Sequence, residues 1–336
     1  MNFDVPPFAM LELELGDQNI ELIVMSRGKR FHVQLATEDL RGSQADHSLL
    51  HTFLKFRESM DDDPQAMEEL MDWMMEPCTC YINQLAPPQH RLEPPSLAEY
   101  FDPETFIFKL MNVDGHLEAI RCPENHSPIR SATPKVSISD PTVSAAIAQG
   151  VDCISASILS AALEPDVHEA DYDLVPRRVR IIGQESQFHF KGAFEEQSFQ
   201  RELDILLRFR SDSLPNDLLV SRLGGLVTHD DGLSVMGILI EYVHGSKTLD
   251  FAVEEASMTE REKWAWQIRT TIKQLHDANI TWGDVKPDNV LIDPNGDALV
   301  IDFGGGCVEG WVDQNLEGTR EGDLQGLANI EQFLGL

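Results

Sequence analysis

The stretch from Trp282 to Gly304 constrains this chain more than any other. It reads as a loop bearing Asp284, Lys286, Asp288 and Asn289, followed by the apolar run Val290 to Asp293. A Pro294-Asn295-Gly296-Asp297 turn and a second apolar run, Ala298 to Phe303, come next. Asn-Gly between two apolar runs is a strong hairpin signal, because a tight hairpin turn needs residues that tolerate positive φ. The hairpin returns the chain on itself, so Asp302 is expected beside the loop that carries Asp284.

That juxtaposition has a chemical reading. Asp302 and Asn289 offer the hard oxygen ligands that Mg²⁺ prefers, and Mg²⁺ arrives with the phosphates of a nucleotide. Asp284 is then free to orient a hydroxyl and accept its proton, while Lys286 can offset charge on a phosphoryl group in transfer. Phosphoryl transfer asks mainly for positioning and charge neutralisation. Each residue alone is ordinary, since a lone Asp or Asn in a loop usually caps a helix or makes a turn. The combination of motif and predicted context is what points to a site.

Upstream, the pattern predicts strands at Val179 to Ile182, Phe188 to Lys191, Leu223 to Thr228 and Leu233 to Tyr242, a helix at Phe199 to Phe209, and a long helix from Thr259 to Asp277. Ser257 or Thr259 can cap that long helix. In this order, Trp282 to Gly304 closely resembles the catalytic loop and metal-binding motif of eukaryotic protein kinases. The resemblance implies Asp284 as catalytic base, Lys286 as a phosphate contact, and Asn289 and Asp302 as Mg²⁺ ligands. Phe188-His189-Phe190-Lys191 is similar to the strand bearing the nucleotide-clamping lysine, and Arg201 to Leu206 to the helix whose Glu, here Glu202, pairs with it. Ile240 to Gly245 resembles the hinge that receives adenine, with Glu241 and Val243 as its contacts. Gly183 stands at the phosphate-covering turn. Gly322 to Leu327 resembles the helix whose Asp, here Asp323, braces the catalytic loop.

The sequence also departs from that pattern. Trp282 and Gly283 stand where His-Arg is usual, which removes the usual partner of a phosphorylated activation loop. No Gly-x-Gly-x-x-Gly precedes Lys191. Asp302 and Asp323 enclose an abbreviated activation segment without Ala-Pro-Glu, and the later helices of the larger lobe are expected to be absent. The spacing of Lys191 and Glu202 is also short, which leaves Glu195 and Glu196 as substitutes.

Before residue 126 the pattern is mixed. Met10 to Leu15 alternates as a strand, Asn19 to Met25 is a second apolar run that makes a hairpin with it across Gly16-Asp17, and Arg30 to Leu35 adds a third strand. Leu49 to Phe56 and Met67 to Met75 carry helical spacing across an Asp61-Asp62-Asp63-Pro64 interruption, Ser96 opens another helix, and Phe106 to Met111 and Leu117 to Arg121 are strand-like. The Met71, Trp73, Met74 and Met75 cluster reads as core. The expected fold class is therefore α+β: a bilobal protein-kinase-like fold with a shortened C-lobe, preceded by an α+β region. The expected divisions are residues 1–125, a Pro- and Ser-rich linker at 126–150, and a kinase-like domain at 151–336 whose lobes meet near residue 245.

Composition narrows the function. The formal charge of −31, from 57 acidic and 26 basic residues, opposes charge-driven binding to nucleic acid or anionic lipid. No apolar run reaches the roughly 20 residues of a membrane span, and Met1 to Met10 lacks the features of a secretory signal. The scattered cysteines (Cys78, Cys80, Cys122, Cys153 and Cys307) form no disulfide framework, which fits an intracellular, cytoplasmic or nuclear protein. The leading expectation is a phosphotransferase of Ser/Thr protein kinase type using ATP and Mg²⁺. Two alternatives stay open: a pseudokinase that scaffolds a partner, and a small-molecule kinase of aminoglycoside or choline type, which Gly283-Asp284 also resembles. The phosphoacceptor and the oligomeric state are left open.

Overall fold

The computed structural model of the chain describes residues 5–41, 48–59, 64–88, 94–123, 133–162, 175–210, 214–215, 217–306 and 310–336. They form two compact units: one from residues 1–133 and 160–176, the other from residues 134–159 and 177–336.

The first unit is a sheet covered by helices. Its strands are β1 (Ala9–Leu15), β2 (Asn19–Ser26) and β3 (Lys29–Ala36), followed by α1 (Ser48–Ser59), α2 (Pro64–Met75), α3 (Thr79–Leu85) and α4 (Leu97–Phe101), then β4 (Thr105–Val113) and β5 (His116–Cys122). The strand order is β1-β2-β3-β4-β5, and all neighbours are antiparallel except β3 and β4. The parallel pair is what the intervening helices make possible, since a parallel connection must cross over. Alternate residues of β2 and β3 (Ile20, Leu22, Val24, Phe31, Val33 and Leu35) enter a core with Phe53, Leu70, Met74 and Cys78. Burial pushes the Cys78 thiol up to about 12, so it behaves as a small apolar group. Ser96 opens α4 with a reciprocal capping box to Glu99.

The second unit begins earlier than the sequence suggests. Residues 126–132 of the expected linker lie outside the described residues, as do the Asp61–Asp63 run and Cys307. Beyond them the linker reading fails: β6 (Val136–Ser137) pairs with a later strand, and α5 (Pro141–Ala148) buries Val143 and Ala146. The proline that suggested a break sits at the first helical turn, where its missing N–H costs nothing, and Asp140 caps the turn from the amides of Thr142 and Val143.

Then come β7 (Cys153–Ser155), β8 (Leu159–Ala161, which straddles the division between the units along the chain), β9 (Arg178–Ile181), β10 (Gln187–Gly192), α6 (Glu196–Arg208), β11 (Leu223–Thr228) and β12 (Ser234–Glu241). Within this unit the strands run β7-β11-β12-β10-β9, with β6 also on β12. β10 and β12 are antiparallel, with Lys191 opposite Ile238 and Phe188 opposite Glu241. A helical part follows: β13 (Lys247–Thr248), α7 (Leu249–Ala252), α8 (Met258–Asp277), the hairpin β14 (Val290–Ile292) and β15 (Ala298–Val300), and α9 (Arg320–Phe333). Ser257, rather than Thr259, caps α8, in a box with Glu260. One continuous core joins the sheet, α6, α8 and the hairpin through Leu203, Leu206, Ile268, Ile272, Trp282 and Phe303. Sheet and helices share a single apolar interior, and the polar loops at 281–289 and 302–306 are set into its edge.

Candidate active site

The β14–β15 hairpin does what its sequence demands. Val290 pairs with Val300, and Ile301 N donates to Asn289 O at 3.0 Å, so the two loops leave the hairpin side by side. Asp284 is buried, and its position is set from two directions. Asn289 Nδ2 donates to Asp284 O at 2.9 Å and to Asp284 Oδ2 at 2.6 Å, and Lys286 Nζ reaches both carboxylate oxygens at 3.1 and 3.0 Å. Asp302 has φ +59°, a left-handed conformation rare outside glycine and often found where a site over-determines the backbone. Its Oδ1 accepts from Lys191 Nζ at 2.7 Å and from Gly304 N at 3.2 Å.

Lys191 bridges two elements. From β10 it meets Glu202 Oε2 of α6 at 2.6 Å as well as Asp302. Burial draws its pKa down, but the two carboxylates outweigh burial and hold it above the ordinary lysine value, so it stays an ammonium. Burial pushes the Glu202 carboxyl up, with Lys191 opposing. Of the acids near the start of α6, Glu202 is the one that pairs; Glu196 instead accepts from Gln200. His189 lies two residues before Lys191, on the same face of the strand. Burial and the neighbouring Lys191 and Arg177 lower its pKa, so it is neutral.

The departures from the usual loop are filled structurally. Trp282 is fully buried, and its indole Nε1 donates to Ile301 O at 2.9 Å and Asp302 O at 3.1 Å, tying one loop to the other. Asp323 of α9 is buried and accepts from Trp282 N and Gly283 N, both at 2.8 Å, and from His276 Nε2 at 2.7 Å. Phe303 is buried edge-on against Phe209, and its N–H donates to Glu202 Oε1 at 3.4 Å. His276 and Arg201 were not legible as site residues in the sequence. Their contacts are to a carboxylate and to carbonyls far along the chain, and no local motif announces them.

The three remaining predicted residues stand outside this network. Gly183 makes the β9–β10 turn with φ +82° and open space around it. Glu241 ends β12 exposed, its N–H donating to Arg222 O at 2.9 Å, and Val243 O accepts from Ser246 N and Oγ. None of the three bonds to the Asp284–Asp302 cluster among the described residues.

Residues 185–316 match the protein kinase domain family. That stretch of the chain is protein-kinase-like. Curated relatives agree. The chain is 31% identical over 110 residues to the serine/threonine-protein kinase cds1 of Schizosaccharomyces pombe, covering 32% of this chain and 22% of that protein. It is 36% identical over 69 residues to the probable serine/threonine-protein kinase MARK-C of Dictyostelium discoideum, covering 20% and 9%. It is 28% identical over 122 residues to the serine/threonine-protein kinase shk2 of Schizosaccharomyces pombe, covering 34% and 20%. The chain therefore spans less than a quarter of the length of these relatives. The kinase-like domain accounts for β10, α6, β11, β12, α8 and the hairpin. No described helix of the chain is long and apolar enough to cross a membrane.

Proposed function

We propose that the kinase-like domain transfers a phosphoryl group from Mg·ATP to a serine or threonine hydroxyl of a protein. The observation that supports it best is the double bond-pairing of Lys191. It meets Glu202 and Asp302 at once, while Asp284 is separately held by Asn289 and Lys286. Kinase chemistry requires the lysine–glutamate pair and the metal-binding aspartate to be in place together.

The residues suit the metal. Asp302 Oδ1 is committed to Lys191 and Gly304, and among the described residues Oδ2 has no protein partner. Asn289 spends its amide nitrogen on Asp284, which leaves its oxygen. Two oxygen ligands suffice for Mg²⁺, which keeps several waters and takes phosphate oxygens for the rest. The described residues hold no group of three or more His, Cys, Asp or Glu fit for a metal, and this ion needs none.

When bound, Mg·ATP supplies the phosphoryl group and offsets part of its charge. Lys191 grips the nucleotide phosphates. Asp284, its carboxylate aimed by Asn289, orients the acceptor hydroxyl and takes its proton as the new O–P bond forms and the bond to ADP breaks. Lys286 faces the same carboxylate and offsets charge on the moving group. Gly183, Glu241 and Val243 complete the nucleotide site, the last two through backbone groups at adenine.

A scaffold without turnover is the second reading, and one observation favours it: a single glycine, Gly183, serves the turn where a phosphate-covering loop would lie. Mg²⁺-dependent ATP turnover by the whole chain, with a panel of Ser/Thr peptides, separates the two. Asp284→Ala is expected to keep nucleotide binding and lose transfer by roughly 10²–10⁴-fold. Asp302→Ala is expected to lose Mg·ATP binding. Wild-type turnover and affinity in both variants would sink the assignment, and phosphate passing to a metabolite with no labelled peptide would redirect it to small molecules.

A further inference from the structure

Arg201 precedes Glu202 on α6, and its guanidinium joins the two loops of the site. Nη2 donates to Thr281 O at 3.0 Å and Trp282 O at 3.1 Å, just ahead of Asp284, and Nη1 donates to Phe303 O, just after Asp302. The loops are shaped around it. Gly283 has φ +81°, and a Cβ there would lie 2.7 Å from Nη2; Gly305 has φ +78°, and a Cβ would lie 3.3 Å from Nη1. Arginine's planar fork suits such multiple acceptance in a way a lysine ammonium does not. Burial lowers its pKa, and Asp323, Glu202, Asp302 and Asp284 oppose that shift. The helix that carries it is anchored on its other side, where Gln200 Nε2 donates to Asp140 Oδ2 at 2.8 Å.

A second observation bears on regulation. From Phe303 to Gly318 the chain contains no serine, threonine or tyrosine. The next hydroxyl, Thr319, caps α9: its Oγ1 donates to Leu316 O at 2.6 Å and accepts from Gly322 N at 3.0 Å. The segment after Asp302 therefore offers no free side chain to phosphorylate, and Gly283 offers no cation to receive a phosphate.

We propose that Arg201 is the positioning residue that holds Asp284 and Asp302 in register, so that the site is assembled by an internal cation and not by phosphorylation of the segment that follows Asp302. The proposal rests on the phosphotransferase reading for its kinetic arm and on the structure alone for its exchange arm.

The test compares wild type, Arg201→Ala and Arg201→Lys as whole chains, by ATP turnover, by Mg·ATP affinity, and by amide hydrogen exchange. With Arg201→Ala, kcat is expected to fall roughly 10²-fold, the effect of misplacing reacting groups by about 1 Å, while KM for ATP stays within about threefold. Exchange is expected to accelerate at residues 281–285 and 303–306 and not in β1–β5. Arg201→Lys should recover only part of the loss. Phosphatase treatment of the wild type should leave kcat unchanged. Full kcat with unchanged exchange in Arg201→Lys overturns the proposal, as does a wild type that phosphatase inactivates. If Arg201→Ala does not fold, Arg201→Lys decides. If the wild type shows no turnover, the function reading fails, and local acceleration of exchange in Arg201→Lys still supports the strut while its absence removes it.

Discussion

Lys191, Glu202 and His189 each have their charge shifted by what lies beside them, and His189 shows the consequence for stability most directly. Burial, Lys191 and Arg177 act together to lower its pKa below the ordinary 6.5, and Asp302 alone opposes them. The folded chain therefore refuses a proton that the unfolded chain accepts once pH drops below that value. Stability is present in full above about pH 6.5 and is lost as pH falls toward the lower folded value. His189→Phe keeps a ring in the strand and removes the proton uptake. Urea denaturation at about pH 7.5 and about pH 5.5 should show the wild type losing on the order of 1 kcal/mol more than the variant over that interval. Equal losses in both proteins would mean that His189 titrates as freely folded as unfolded. Glu202 and Asp302 hold Lys191 in its charged form against burial, and the neutral His189 adds no competing charge beside it.

At the scale of elements, α9 packs closely on the loop that carries Asp284. A Cβ at Gly326 would lie 2.6 Å from Val285 Cβ and 3.2 Å from Val285 O. In an open helix, replacing glycine by alanine gains about 0.5–1 kcal/mol. Here the sign reverses, because the Val285 side chain, held on the loop, stands where the methyl would go. Gly326→Ala should lower stability by about 1–3 kcal/mol in urea unfolding, and a raised midpoint would show that the loop yields without cost. The hairpin that places Asp302 beside the loop carrying Asp284 was legible in the sequence, because Asn-Gly between apolar runs favours a tight turn. The helix α6 was legible through its period, whereas Glu202 was suggested only by the family resemblance, with Glu195 and Glu196 left as substitutes. β6 and α5 were not, since Pro141 reads as a breaker until its place at the first turn of a capped helix is known. The parallel β3–β4 pair was hidden because its partners are far apart in the chain, and pairing of that kind leaves no local signature. Arg201 was hidden for the same reason: Thr281, Trp282 and Phe303 present their carbonyls to one point only after the loops have met. The substitution of glycine at 283 was the trace it left, read in the sequence as a loss when it makes room for a cation from another element.

At the scale of the whole molecule, the charge of −31 acts on whatever approaches the site. Such a field raises the encounter rate of cations and lowers that of anions, and it is felt over about one Debye length, roughly 10 Å at 0.1 M salt. The immediate site does not cancel it. Lys191, Lys286 and Arg201 each face carboxylates or carbonyls inside the site, so their charge acts there and projects little beyond it. If the domain phosphorylates proteins, acceptor peptides flanked by Lys or Arg should be preferred over the same peptides flanked by Asp or Glu, and the preference should sit in kcat/KM and not in kcat. Raising ionic strength from about 20 mM to about 200 mM should reduce kcat/KM for the basic peptide roughly tenfold and leave a neutral peptide nearly unchanged. Nucleotide should respond in the opposite direction, because ATP is an anion entering an acidic surface and salt weakens the repulsion. A basic peptide whose kcat/KM ignores salt would show that acceptor choice is made by direct contacts near Asp284, and the overall charge would then serve solubility alone.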